Sequence, residues 1–284
     1  MSGIKISVVF AVLLCSSVVW AQRSIAQEQR MKLAALQKYT EALYREPTKK
    51  ELEAVAPNEE LKTKYAEFLR QPNSGLIKLI KDKNCAENTK IVSADENCLK
   101  YSMPGAGNSF SFRKERYRIA RLADLTFTGD SFQGTGFLTH TLLVNIGDVA
   151  LESVSLQTAG LQYINEFQPE PNYNKGKIIA EKLSEGIEKD NFIYRRGHLA
   201  VENSTFVLRS IAYGGKSFRA IQGITYNEFD FDDRRDITVA FRIVEKDADE
   251  NVTILWKRLS EKKSPKVIWK KKNQKIPSKL YLID

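Results

Sequence analysis

Ser131 stands in the run Thr128-Gly129-Asp130-Ser131-Phe132-Gln133-Gly134-Thr135-Gly136, where a tight turn can lift a hydroxyl clear of its strand. A serine hydroxyl attacks a carbonyl only when a neighbouring base takes its proton and nearby donors hold the oxyanion. The chain has two histidines to supply that base, His140 and His198. His140 shares a strand face with Leu138, Leu142 and Val144, which predicts a packed, hydrogen-bonded imidazole. His198 follows Arg195-Arg196-Gly197 and reads as part of a solvated turn.

The Thr128–Gly136 run resembles, over nine residues, the nucleophile block of GDSL-type esterases and lipases. The resemblance implies a serine hydrolase with Ser131 as nucleophile on an α/β fold, its base coming from an Asp-x-x-His pair near the C-terminus. Here Phe137 and Arg195 stand three positions before His140 and His198, and neither histidine lies in the last quarter of the chain. Gly-Asp-Ser is also an ordinary hairpin-turn composition. Ser131 and His140 thus define a secondary, catalytic expectation, and the primary one assigns the motif to a turn.

Two acidic runs have oxygen ligands to offer a cation. Asp247-Ala248-Asp249-Glu250-Asn251 starts like a calcium loop, but Val252 replaces the glycine needed at position six and Arg258 replaces the bidentate acid at position twelve. It is expected to be a hairpin turn. Asp230, Asp232, Asp233 and Asp236 form the other cluster, with Arg234 and Arg235 inside it to neutralise it, so an internally paired loop is expected over a calcium site. No phosphate loop, Cys-x-x-Cys pair or His-Glu-x-x-His helix occurs, and no cofactor is expected.

Charge is the strongest compositional signal. Ten basic residues lie between Lys257 and Lys279 with Glu261 the sole acid among them, which equals the whole formal charge of +9. Lys262, Lys263, Lys266, Lys270, Lys271, Lys272 and Lys275 cluster around Ile268 and Trp269, a composition suited to an anionic envelope polymer or membrane surface. Nucleic acid fits electrostatically. An export signal at the N-terminus removes nucleic acid from the expected partners.

Lys5 precedes an apolar run from Ile6 to Val19, and Val19 and Ala21 suit the cleavage positions before Gln22. At about 14 residues the run is shorter than the roughly 20 that span a bilayer, so a cleaved signal peptide is expected, the protein is placed in the periplasm or outside the cell, and no membrane span is expected in the mature chain. Cleavage removes Cys15 and leaves Cys85 and Cys98, an even pair expected to form a disulfide in an oxidising compartment. Closing that loop would stabilise the fold by about 3 kcal/mol.

The elements that must position these groups read as follows. Leu36, Tyr39 and Leu43 recur at helical spacing, Thr48 and Glu51 form a capping box, and Asn58 can cap a further helix with the stripe Leu61, Tyr65, Phe68 and Leu69. Strands are predicted from Phe110 to Phe112, Leu125 to Thr128, Phe137 to Ile146, Val154 to Leu156, Phe192 to Tyr194, Thr205 to Tyr213 and Ile221 to Tyr226. Ile179, Leu183 and Ile187 predict one amphipathic helix, which Gly186 weakens, and the segment from Leu161 to Phe167 suits helix or strand. Ile237, Val239, Phe241 and Ile243, then Val252, Ile254 and Trp256, alternate with polar neighbours and predict a final β-hairpin.

The fold class is therefore α+β: a helical segment, then a mainly antiparallel β domain, sheet or sandwich, with one amphipathic helix. The expected layout is signal 1–21, helical segment 22–75, disulfide loop and linker 76–109, β-rich domain 110–259 and basic tail 260–284. The expected function is an exported, non-enzymatic binding or scaffold protein of the envelope or exterior. A GDSL-like hydrolase and a calcium- or carbohydrate-binding β module are the alternatives, the latter with Trp256 and Trp269 as platforms.

Overall fold

The computed structural model describes residues 27–81, 103–221 and 223–269. The signal segment, Cys85, Cys98, Lys270, Lys271, Lys272 and Lys275 lie outside them. The chain is α+β. Helix α1 spans 27–44. Helix α2, Lys49–Ala54, opens on the full capping box, with the Thr48 hydroxyl accepting from Glu51 N–H and the Glu51 carboxylate accepting from Thr48 N–H. Helix α3, Glu59–Lys64, is capped by Asn58, whose Oδ1 accepts from Leu61 N–H at 2.8 Å.

Strand β1, Ser74–Leu79, follows directly, so the apolar segment ahead of the cysteine loop belongs to the sheet. Strands β2 (Ser109–Ser111), β3 (Arg116–Tyr117), β4 (Leu125–Phe127), β5 (Ser131–Gly134) and β6 (Thr139–Asn145) come next. Helices α4 (Gln162–Glu166) and α5 (Tyr173–Glu185) then precede strands β7 (Ile187–Lys189), β8 (Phe192–Tyr194) and β9 (Gly197–Leu199). Strands β10 (Thr205–Ala212), β11 (Phe218–Ile221), β12 (Ile224–Asn227), β13 (Arg235–Lys246) and β14 (Val252–Lys263) complete the described chain.

Three of the expected strands and helices need correction. Val154 and Leu156 form no strand: a single 3-10 turn, Leu151–Ser153, leads into loop, and Val154 packs as a buried loop residue. Ile187 opens β7 instead of extending the helix, because Gly186 ends α5 at φ +107, a backbone region that favours glycine. The expected strand from Ile221 to Tyr226 is two strands joined at Gly223, which turns the chain at φ +79.

Two five-stranded antiparallel sheets carry the fold. The first has the order β1-β14-β13-β10-β6, and the long β13–β14 hairpin is its centre. The second has the order β3-β2-β4-β5-β9. Alternation along each strand of the first sheet creates two apolar faces. One face, with Leu208, Val239, Phe241 and Trp256, packs with the second sheet's Phe110, Phe127 and Phe132. On the opposite face Leu142, Val207, Ile211 and Leu255 meet Leu161, Ile164 and Leu183 from the helical layer. Phe68 joins this second cluster, so the helical N-terminal segment packs on the sheet.

Most charges buried within these layers are paired, as desolvation demands, whereas Arg118 is held by the carbonyls of Tyr44 and Phe231. Asp124 accepts from Arg113 Nε at 2.7 Å and from the Ser210 hydroxyl at 2.6 Å, while Arg113 also reaches Asp232 at 2.7 Å. Glu228, fully buried, receives Arg121, Arg219 and the Tyr44 hydroxyl, which ties α1 to the β11–β12 hairpin and the Ala120–Leu122 turn.

Candidate functional site

The glycine-rich run around Ser131 is built by backbone demands. The β4–β5 hairpin closes with Thr128 N–H on the Ser131 carbonyl at 2.9 Å, and its turn opens on Gly129 at φ +104. Gly134 lies where a Cβ would fall 1.9 Å from Thr141 Cγ2, and Gly136 sits at φ +106. The Ser131 hydroxyl donates to Asp130 at 2.6 Å and shares a hydrogen bond with Thr128 Oγ1 at 3.1 Å. Neither imidazole is among its partners.

Both histidines are occupied elsewhere. His140 Nε2 lies 2.8 Å from the Gly176 carbonyl on α5, so this nitrogen holds the proton, and Nδ1 accepts from the Tyr213 hydroxyl at 2.9 Å. A small cleft of about 170 Å³, lined by Glu170, Tyr173, Lys177 and Val267 among others, reaches His140, but both ring nitrogens are already bonded. His198 is not in a solvated turn. It is buried in β9 and its Nε2 donates to the carbonyls of Leu143 at 3.0 Å and Ile193 at 3.1 Å. A strand of three residues is too short to show period two, so no local pattern pointed to it. Burial lowers the pKa of both, opposed at His140 by the Gly176 carbonyl and Glu170 and reinforced at His198 by Arg195.

The acidic cluster is distributed among arginines. Asp232 is buried between Arg113 and Arg234, at 2.7 and 2.9 Å; burial opposes its ionisation, but the two guanidinium groups outweigh burial and lower its pKa. Asp233 pairs with Arg235 at 3.0 Å, Asp236 pairs with Arg209, and Asp230 accepts from Asn227. Asp247 receives Lys78 and the Asn251 amide, fixing the β13–β14 turn. Trp256, one of the two tryptophans considered as a sugar platform, is 2% exposed inside the core and cannot offer a ring face.

The remaining candidate is the basic end, and the structure gives it a defined starting shape. Strand β14 extends to Lys263, pairing Lys262 with Asp236 and Lys263 with Arg235 in register. Glu261 is engaged by both Arg235 and Arg258, so it does not neutralise the lysines beside it. Lys262, Lys263 and Lys266 are exposed and have no ion pair with a described residue.

Beyond β14 the chain is stitched down as a strap. The Ser264 hydroxyl donates to the Ala212 carbonyl at 2.6 Å, Gly214 N–H to Pro265 at 2.8 Å, and Val267 N–H back to Gly214 at 3.0 Å. Ile268 N–H then donates to the Pro171 carbonyl at 2.8 Å and its own carbonyl accepts from Tyr173 N–H at 3.2 Å. This places Trp269 against Tyr173, ring centroids 4.6 Å apart and planes 32° apart, at the first residue of α5. Asn172 caps that helix through Asn174 and Lys175 N–H. Tyr173 was not visible as a site residue in the sequence, because its partner is almost a hundred positions away; Trp269 within a lysine run was the only pointer.

Among the described residues no helix is long and apolar enough to cross a membrane. No family model, no curated protein and no solved structure matches this chain.

Proposed function

We propose that this chain is an exported, non-enzymatic binding or scaffold protein of the cell envelope or exterior, whose basic C-terminal end contacts an anionic surface or polymer. The observation that supports it is the set Lys262, Lys263 and Lys266, exposed and without carboxylate partners among the described residues, leading into Lys270, Lys271, Lys272 and Lys275. Elsewhere the arrangement is the opposite: Asp124, Asp232, Asp236 and Glu228 are buried against arginines and leave little unbalanced charge inside. Lysines near an anionic surface each contribute about 1 kcal/mol, so seven acting together are enough for firm, salt-sensitive retention.

The test is a truncation after Trp269, which leaves β14 and the strap intact, combined with glutamine at Lys262, Lys263 and Lys266. The full chain should bind an anionic matrix and elute with increasing salt, and the truncated variant should pass through. Equal retention of both proteins would reject the reading.

A further inference from the structure

We propose that the strap end, Ile268 and Trp269 with Tyr173, is an interfacial anchor for an anionic lipid bilayer, an inference that rests on the anionic-surface reading above. Ile268 is 57% exposed, Trp269 42% and Tyr173 37%. The Tyr173 and Trp269 rings meet at one spot, and the backbone of the preceding Ile268 is fixed beside it by its hydrogen bonds to Pro171 and Tyr173. Positive charge flanks the spot among the described residues: Lys266 lies two residues before Ile268, and Lys177 lies one turn from Tyr173 on the same flank of α5; in the sequence Lys270 to Lys272 follow Trp269. Glu170, the nearby acid lining the small cleft, accepts from Asn172 N–H at 2.8 Å.

The chemistry of the spot selects a bilayer over a soluble polyanion. A sugar polymer is held by a ring face with free amide or carboxylate groups around it; here Tyr173 covers one face of the Trp269 indole, and the nearby Glu170 and Asn172 side chains already accept from backbone N–H groups. An aliphatic side chain as exposed as Ile268 gains nothing from a hydrated polyanion. At a lipid interface the same residues fit, since tryptophan and tyrosine settle at headgroup level, isoleucine enters the acyl boundary and lysines attract anionic headgroups. The strap fixes the backbone before contact, so little ordering cost remains at binding.

The chain from Gln22 onward, without the signal segment, should be mixed with vesicles of phosphatidylglycerol and phosphatidylcholine, with pure phosphatidylcholine vesicles, and with a polyphosphate resin. The expected result is sedimentation with the anionic vesicles and a blue shift of Trp269 emission, isolated as the difference from Trp269→Phe, which removes the background of Trp256. Ile268→Ser with Trp269→Ser should lower vesicle partitioning by about a hundredfold, roughly tenfold for each side chain withdrawn from the acyl boundary, with retention on polyphosphate unchanged. Thermal unfolding of the double variant checks that it is folded.

Retention on polyphosphate without a Trp269 shift on vesicles would overturn the lipid anchor and leave the anionic-surface reading standing. Loss of retention on every anionic material would remove both. Equal binding of wild type and the double serine variant to anionic vesicles would also overturn the anchor, because lysines alone would then account for it.

Discussion

Gly75 and Trp256 face each other in register across β1 and β14, with the indole lying directly over the glycine. A Cβ at position 75 would fall 2.6 Å from Trp256 Nε1, closer than packed atoms approach. The edge strand therefore depends on a missing side chain to let the largest residue of the hairpin lie flat. Gly75→Ala is expected to destabilise the fold by about 1–3 kcal/mol through overpacking, read from the urea midpoint. Adding Trp256→Phe should recover part of the loss; if the two substitutions are simply additive, the contact is not the cause.

Arg209 and Asp236 form a bidentate pair on adjacent strands, at 2.9 and 2.7 Å, and Arg209 Nη1 also donates to the carbonyls of Ile164 and Phe167 at the end of α4. Asp236→Ala leaves a buried guanidinium without its counter-charge and should cost about 3–5 kcal/mol. Replacing both residues by apolar ones of similar volume should cost less than the single change at Asp236 with respect to the pair, while loosening α4. Denaturant unfolding of the two single variants and the double variant measures the coupling.

Stability should fall on acidification. Unfolded histidine titrates near 6.5, and burial lowers the pKa of His140 and His198 in the folded chain. The unfolded state then binds more protons below that value, so the contribution is complete above about pH 6.5 and is lost as pH falls through the folded values. Tm should be flat from pH 7 to 8 and decline from pH 6.5 to 5. His198→Gln should flatten that decline, and an identical slope in this variant would assign the effect to other groups.

The Ser131 motif should behave as architecture. No labelling of the folded chain by a fluorophosphonate probe is expected, because no imidazole bonds the Ser131 hydroxyl. Ser131→Ala should change stability by less than about 1 kcal/mol. Gly134→Ala should be the damaging change in this run, given the 1.9 Å approach to Thr141. Labelling that disappears in Ser131→Ala would reverse this assignment.

Local rules were legible in the chain itself. The capping box at Thr48 and Glu51, the Asn58 cap, the β13–β14 hairpin with its polar turn, and the inward His140 all follow from neighbouring residues, since each involves partners within a few positions or one strand period. Where the pattern was too short the reading failed, as at Val154 and Leu156 and at His198, because two or three residues cannot display a period.

The concentration of lysine at one end was likewise determined by sequence alone, because formal charge needs no fold to be counted. Which charges are matched, and what stands beside them, follows from long-range packing. Arg113 reaches Asp232 and Glu228 reaches Tyr44 across more than a hundred positions, and Trp269 meets Tyr173 only because the strap crosses Gly214 and Pro171. Such pairings depend on which strands are neighbours, and strand order is fixed by the burial of two sheet faces at once. No local spacing encodes it.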